Sequence, residues 1–185
     1  MMRGMYDGDA TYAGIEERRL ALVVVDIQKK FLAQSPGLVD SIRSRLDGIN
    51  RAIDLFRSTG NPVIFLFYEG DGHCLAEASE DPDGLIDGLS MEENDLRVSK
   101  TWMNSFRDSE LGDRIRELGC DGIVLVGLVA QYCVLATYYG AFDNGLCPYI
   151  MRGGIAAEDE VYVERVEGIC KTVTLDDIRR NVHFC

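Results

Sequence analysis

Three short apolar runs constrain this chain more than any other feature: Ala21-Leu22-Val23-Val24-Val25, Val63-Ile64-Phe65-Leu66-Phe67 and Ile123-Val124-Leu125-Val126. Each is too short for a surface helix and shows no polar alternation. Each therefore reads as a strand covered on both faces, as strands of parallel sheets are. Between the first two, residues 40–57 carry Ile42, Leu46, Ile49, Ile53 and Phe56 along one helical stripe, and Thr59-Gly60-Asn61-Pro62 ends it. Strand, helix and strand in that order make a βαβ unit with parallel strands and a right-handed crossover.

The rest of the chain continues the alternation. Leu96-Arg97-Val98 reads as a short strand running into Lys100. Ser109 reads as the N-cap of a helix with Leu111, Ile115 and Leu118 inside, ending at Gly119. After the third apolar run, Gly127 breaks the strand, and a helix from Cys133 ends at Asn144-Gly145. Residues 148–151 form a further strand with Arg152-Gly153-Gly154 as its turn, followed by a helix with Val161, Val166 and Ile169. Thr174 and Asp177 have the spacing of a capping box opening a last short helix. This order predicts an α/β fold: a three-layer αβα sandwich around a mostly parallel, six-stranded, doubly wound sheet. Residues 1–19 are polar and read as an N-terminal arm, leaving residues 20–185 as one domain. Residues 69–94 form a long acidic, glycine-rich connection, a length usually tied to function or mobility.

Charge and cysteine usage narrow the partners. A net charge of −12 argues against nucleic acid or an anionic membrane, which need a basic face. No apolar run approaches the eighteen or so residues of a membrane span. The six cysteines have neither CxxC nor zinc-like spacing, and residues 1–19 lack the apolar core of a signal peptide. Both point to reduced thiols in a cytoplasmic protein. Neither GxGxxG nor GxxxxGK[ST] occurs, so no nucleotide-phosphate loop is indicated.

Two positions stand out chemically. Asp26 directly follows five apolar residues, which puts a carboxylate at a strand's carboxyl end, where α/β sheets bind ligands. Cys133 stands at a strand–loop–helix junction, where the helix dipole and free amides favour thiolate over thiol. By themselves both have plain structural readings, an ion-paired sheet edge and a small buried hydrophobe.

Three separated pieces, LVVVDIQKKF (22–31), DLRVSKTWMNSFRDSEL (95–111) and GLVAQYCVLATYYGAFDNG (127–145), together resemble the isochorismatase-like cysteine hydrolases. That family includes nicotinamidases, N-carbamoyl amide hydrolases and isochorismatases. The resemblance implies a catalytic triad of Asp26, Lys100 and Cys133. It also implies an oxyanion hole from the backbone amides of Val129 and Cys133, with a cis peptide between Leu128 and Val129. In the implied chemistry Lys100 favours the thiolate and keeps Asp26 ionised, and Asp26 carries the proton between sulfur and leaving group. Phe31, Trp102 and Tyr132 are the aromatic candidates for a substrate-binding wall.

Departures from the family pattern shape the expectation. Nicotinamidases hold a metal after the second strand through Asp-x-His and a further His. Here Asp71-Gly72-His73 sits late in a glycine-rich loop and the other histidine is His183, so no metal and no cofactor are expected. Ala130-Gln131 replaces a Thr-acidic pair, and Arg152 stands where the family often has an aspartate. Because amide and urea hydrolysis needs the thiol, the expected substrate is a small amide, carbamoyl or ureido compound cleaved at a linear C–N bond. The alternatives are an isochorismatase-type enol-ether hydrolase and a non-catalytic oligomeric binding module. Family members are generally dimers or tetramers, and Tyr138, Tyr139 and Phe142 diverge around one helix. A homo-oligomer burying part of that helix is expected.

Overall fold

The computed structural model describes residues 15, 18–33, 35–70, 81 and 83–181. Six strands form one sheet in the order β3-β2-β1-β4-β5-β6, all parallel. They are β1 (Leu20–Val25), β2 (Val63–Tyr68), β3 (Leu96–Lys100), β4 (Gly122–Leu128), β5 (Cys147–Ala156) and β6 (Thr172–Val173). The helices are the single turn α1 (Lys29–Leu32), α2 (Pro36–Ser58), α3 (Leu111–Glu117), α4 (Leu135–Asp143), α5 (Glu160–Ile169) and α6 (Leu175–Asn181). Every residue of β1 and β4 is buried, which is why these strands carry no polar alternation. Strand order reverses between β1 and β4, the switch point at which open α/β sheets hold ligands.

Local sequence explains the flanking helices. The α2 stripe Ile42, Ile49, Ile53 and Phe56 is fully buried, and Ser35 caps the helix by accepting from the Leu38 N–H. Thr174 and Asp177 form the expected capping box, each side chain accepting from the other's backbone N–H.

Two expectations are corrected, the Arg152 turn and the Ser109 cap. Arg152-Gly153-Gly154 is not a turn but a bulge inside β5. The β4–β5 register shifts between Leu125 and Gly127, and pairing resumes at Ile155. In α5 the inward residues are Val163 and Val166, while Val161 and Ile169 face solvent. Helix α3 starts at Leu111, so Ser109 lies one residue before the cap, although its Oγ still accepts from the Leu111 N–H at 3.3 Å. Before β1, Ile15 is buried and Arg18 pairs with Asp121 at 2.9 Å. Among the described residues no helix is long and apolar enough to cross a membrane.

Candidate active site

Asp26 directly follows the last residue of β1, and its backbone adopts φ 50°, a left-handed conformation that Asp tolerates better than most side chains. Beside it, Gly127 has φ 117°, and a Cβ there would lie 2.2 Å from the Val25 carbonyl oxygen. Only glycine lets β4 approach β1 this closely, so the glycine read as a strand breaker is what joins the two strand ends. Lys100, the last residue of β3, extends across the end of β2, with its Nζ 4.9 Å from the centre of the Tyr68 ring. Cys133 lies in a π-helical turn, Ala130–Val134, that leads into α4. The turn is held by the Val129 carbonyl, which accepts from the Tyr132 and Val134 N–H groups at 3.0 and 3.4 Å. The peptide bond between Leu128 and Val129 is cis.

These elements bring Asp26, Lys100 and Cys133 together. Lys100 Nζ lies 2.7 Å from Asp26 Oδ2, and neither side chain touches solvent. The ammonium also donates to the Trp102 carbonyl at 3.0 Å. The Cys133 thiol contacts both charged groups.

The electrostatics oppose the pull toward thiolate expected from the helix entrance and Lys100. Burial, reinforced by the Asp26 charge, pushes the Cys133 thiol up to about 12, and the opposing pull of Lys100 is the smaller effect. Burial also raises the Asp26 carboxyl, opposed by Lys100, by contact with Cys133 and by Lys30. With Cys133 only 7% exposed, loss of water outweighs one ammonium and a helix end. At neutral pH the proton therefore rests on sulfur, beside the Asp26 carboxyl.

The aromatic candidates divide. Phe31 is buried and packs edge-on against Tyr68, ring centres 5.9 Å apart, so it reaches the site through the ring beneath Lys100. Trp102 contributes its carbonyl to Lys100, but the residue is 42% exposed, its ring stacked by the Arg107 guanidinium at 3.7 Å and donating from Nε1 to Asp108. Tyr132, next to the nucleophile candidate, is 48% exposed. Asp71, His73 and His183 lie outside the described residues. Among the described residues no group of three His, Cys, Asp or Glu side chains is arranged to hold a metal.

Sequence reasoning missed the set around Tyr68. Lys30 is buried, donates to the Tyr68 carbonyl and pairs with Asp83 at 2.6 Å. Gln28 accepts from the Tyr68 N–H at 2.9 Å and donates to the Asp83 carbonyl at 3.2 Å. Gly84 and Ile86 are tied by backbone bonds to Lys29 and Ile27, so this part of the long acidic connection is bound against the exit of β1. The signal lay in QKKF, where a second lysine directly precedes the candidate wall residue Phe31.

The isochorismatase domain profile matches residues 20–166. The uncharacterised isochorismatase family protein YddQ of Bacillus subtilis (strain 168) is 23% identical over 138 residues, 74% of this chain and 77% of YddQ. A cysteine hydrolase from Pseudomonas syringae pv. phaseolicola 1448A superposes with a TM-score of 0.75 at 22% identity, covering 89% of this chain and 92% of that one. N-carbamoylsarcosine amidase from Thermoplasma acidophilum superposes with a TM-score of 0.69 at 22% identity, covering 84% and 95%. With a domain match over most of its length and this sheet order, the chain belongs to the isochorismatase family of hydrolases.

Proposed function

We propose that this protein is a cysteine hydrolase that cleaves the linear C–N bond of a small amide, carbamoyl or ureido compound through a thioester on Cys133. The observation that carries this reading is the contact of one thiol with a buried carboxylate–ammonium pair, 2.7 Å apart, at the ends of β1 and β3. A buried pair of this kind adds little stability over a packed apolar pair, so its chemistry is the better account of it. Similarity to an N-carbamoylsarcosine amidase agrees with the choice of bond.

Each step uses groups already in contact. Asp26 accepts the thiol proton as sulfur attacks the carbonyl carbon, so no free thiolate has to accumulate. The charge that develops on the carbonyl oxygen is met by the backbone amides of Val129 and Cys133, a kind of donor worth ~10²–10³ in rate each. Asp26 then delivers the proton to the leaving nitrogen and the C–N bond breaks, leaving the acyl group on sulfur. Water, losing a proton to Asp26, hydrolyses the thioester, and the thiol recovers that proton. Lys100 remains an ammonium throughout and keeps the carboxylate a base in a dry site.

Ammonia release from a panel of small amides, ureas and N-carbamoyl compounds tests the proposal. At least one is expected to be turned over, with an acyl adduct on Cys133 in rapid-quench mass spectra. Cleavage of an enol ether alone, with no C–N substrate accepted, would overturn it.

A further inference from the structure

The mechanism uses one buried lysine, and α1 supplies another. Lys30 is 8% exposed, and its Nζ lies 5.7 Å from the centre of the Tyr68 ring and 6.0 Å from that of Phe31. Lys100 Nζ approaches the same Tyr68 ring at 4.9 Å, so one aromatic ring borders both ammonium groups. The charge of Lys30 is also felt at Asp26, whose carboxyl it pulls down.

The two lysines differ in their counter-ions. Lys100 is matched in charge by Asp26 at 2.7 Å, and both side chains are fully buried. Lys30 is matched by Asp83, whose side chain is 72% exposed on the bound part of the long connection. Asp83 reaches Lys30 from water, so it gives up little by returning to solvent. The buried ammonium, by contrast, needs an anion wherever Asp83 goes. A substrate carboxylate arriving beside Phe31 and Tyr68 supplies one.

We infer that Lys30, with Tyr68 and Phe31, forms an anion subsite beside the nucleophile, and that the substrate is an amide or ureido compound carrying a carboxylate. This rests on the reading of Cys133 as the nucleophile. Asp83 is the counter-ion the substrate displaces, and the two rings line the carbon skeleton between the carboxylate and the scissile carbonyl. Lys30 thereby becomes a specificity-determining residue.

Iodoacetate and iodoacetamide react at the same carbon and differ by one negative charge, so the ratio of their rates at Cys133 reads the local cation independently of thiol ionisation. The measurement uses the full chain at 0.15 M salt, with peptide mass mapping, and half-buried Cys147 at the start of β5 as internal reference. Lys30→Met is expected to lower the iodoacetate:iodoacetamide ratio at Cys133 about tenfold, with Lys30→Arg restoring most of it. Asp83→Asn, a change at a largely exposed side chain, is expected to raise the ratio several-fold and decides the matter should Lys30→Met not fold. A ratio unmoved in Asp83→Asn and in Lys30→Met overturns the anion subsite. Failure of iodoacetamide to modify Cys133 in the unaltered protein removes the nucleophile reading instead, and this inference with it.

Discussion

Cys133, after β4, and Cys170, between α5 and β6, are both buried thiols, and burial pushes each up to about 12. By proton affinity alone they are the same group. For Cys170 the raising comes from loss of water, whereas Cys133 also touches a carboxylate and an ammonium. The second has an acceptor in contact and a cation to hold the resulting charge. On the proposed function, reactivity is set by what surrounds the sulfur rather than by a low resting pKa.

The largest test of that contrast is replacement of each sulfur. Cys133→Ala is expected to lower kcat on the order of 10⁶-fold while the far-ultraviolet circular dichroism stays unchanged. Cys170→Ala should leave kcat within twofold and cost about 1 kcal/mol in urea unfolding. Equal losses of activity in the two variants would erase the distinction.

Asp26→Asn comes next. It keeps the shape and removes the proton acceptor, so kcat/KM should fall ~10²–10⁴-fold. If Asp26→Asn retains full activity, the thiol finds its base elsewhere.

Lys100→Met removes the cation that opposes burial at both partners, so it should raise both Cys133 and Asp26 further. Leaving a buried carboxylate unpaired costs about 3–5 kcal/mol of stability, read as a shift of the urea midpoint at pH 7. Asp26 must be ionised to act, and its carboxyl already lies above the ordinary range. The acidic limb of kcat/KM should therefore sit above that range and move higher in Lys100→Met; an unmoved limb separates Lys100 from Asp26. The sign for the thiol runs the other way in pH. Cys133 binds its proton more tightly folded than unfolded, so its contribution to stability is complete below pH ~9 and is lost as pH rises toward 12. Alkylation of Cys133 should accordingly keep accelerating between pH 8 and 10 without a plateau, whereas a plateau near 8 would mean a standing thiolate.

The smallest effect concerns the surface beyond the site. Tyr138 turns inward, its hydroxyl accepting from the Lys171 N–H at 2.8 Å, while Tyr139 is 48% exposed on the same helix. A homo-oligomer covering Tyr139 is expected in sedimentation at micromolar concentration, and Tyr139→Ser should weaken it a few-fold to tenfold. A monomer of 20.6 kDa in the unaltered protein would end that expectation.

Much of this architecture follows from sequence because it depends on periodicity. An apolar run with no alternation can be accommodated only as a strand covered on both faces, and the α2 stripe from Ile42 to Phe56 only as a helix lying on that sheet. The order of runs and stripes then dictates parallel strands, and a carboxylate after a run falls at a strand's carboxyl end. The bulge at 151–154 escaped because Arg-Gly-Gly has the same composition in a turn and in a bulge, and only pairing with β4 distinguishes them.

The site divides in the same way. Asp26, Lys100 and Cys133 could be named from motifs, but their ionisation could not, because desolvation depends on atoms brought in from β2, β4 and the π turn. The sequence supplies a cysteine at a helix entrance, which by itself predicts a thiolate; folding removes the water and raises the thiol to about 12. Likewise two adjacent lysines in QKKF look alike in one dimension. The α1 turn sends Lys29 to Asp87, an outward carboxylate at 3.0 Å, and Lys30 into the ring pair of Phe31 and Tyr68. Sequence determined which charges the chain carries, and the tertiary structure decided which of them lose their water, because burial is a property of neighbours that lie far apart along the chain.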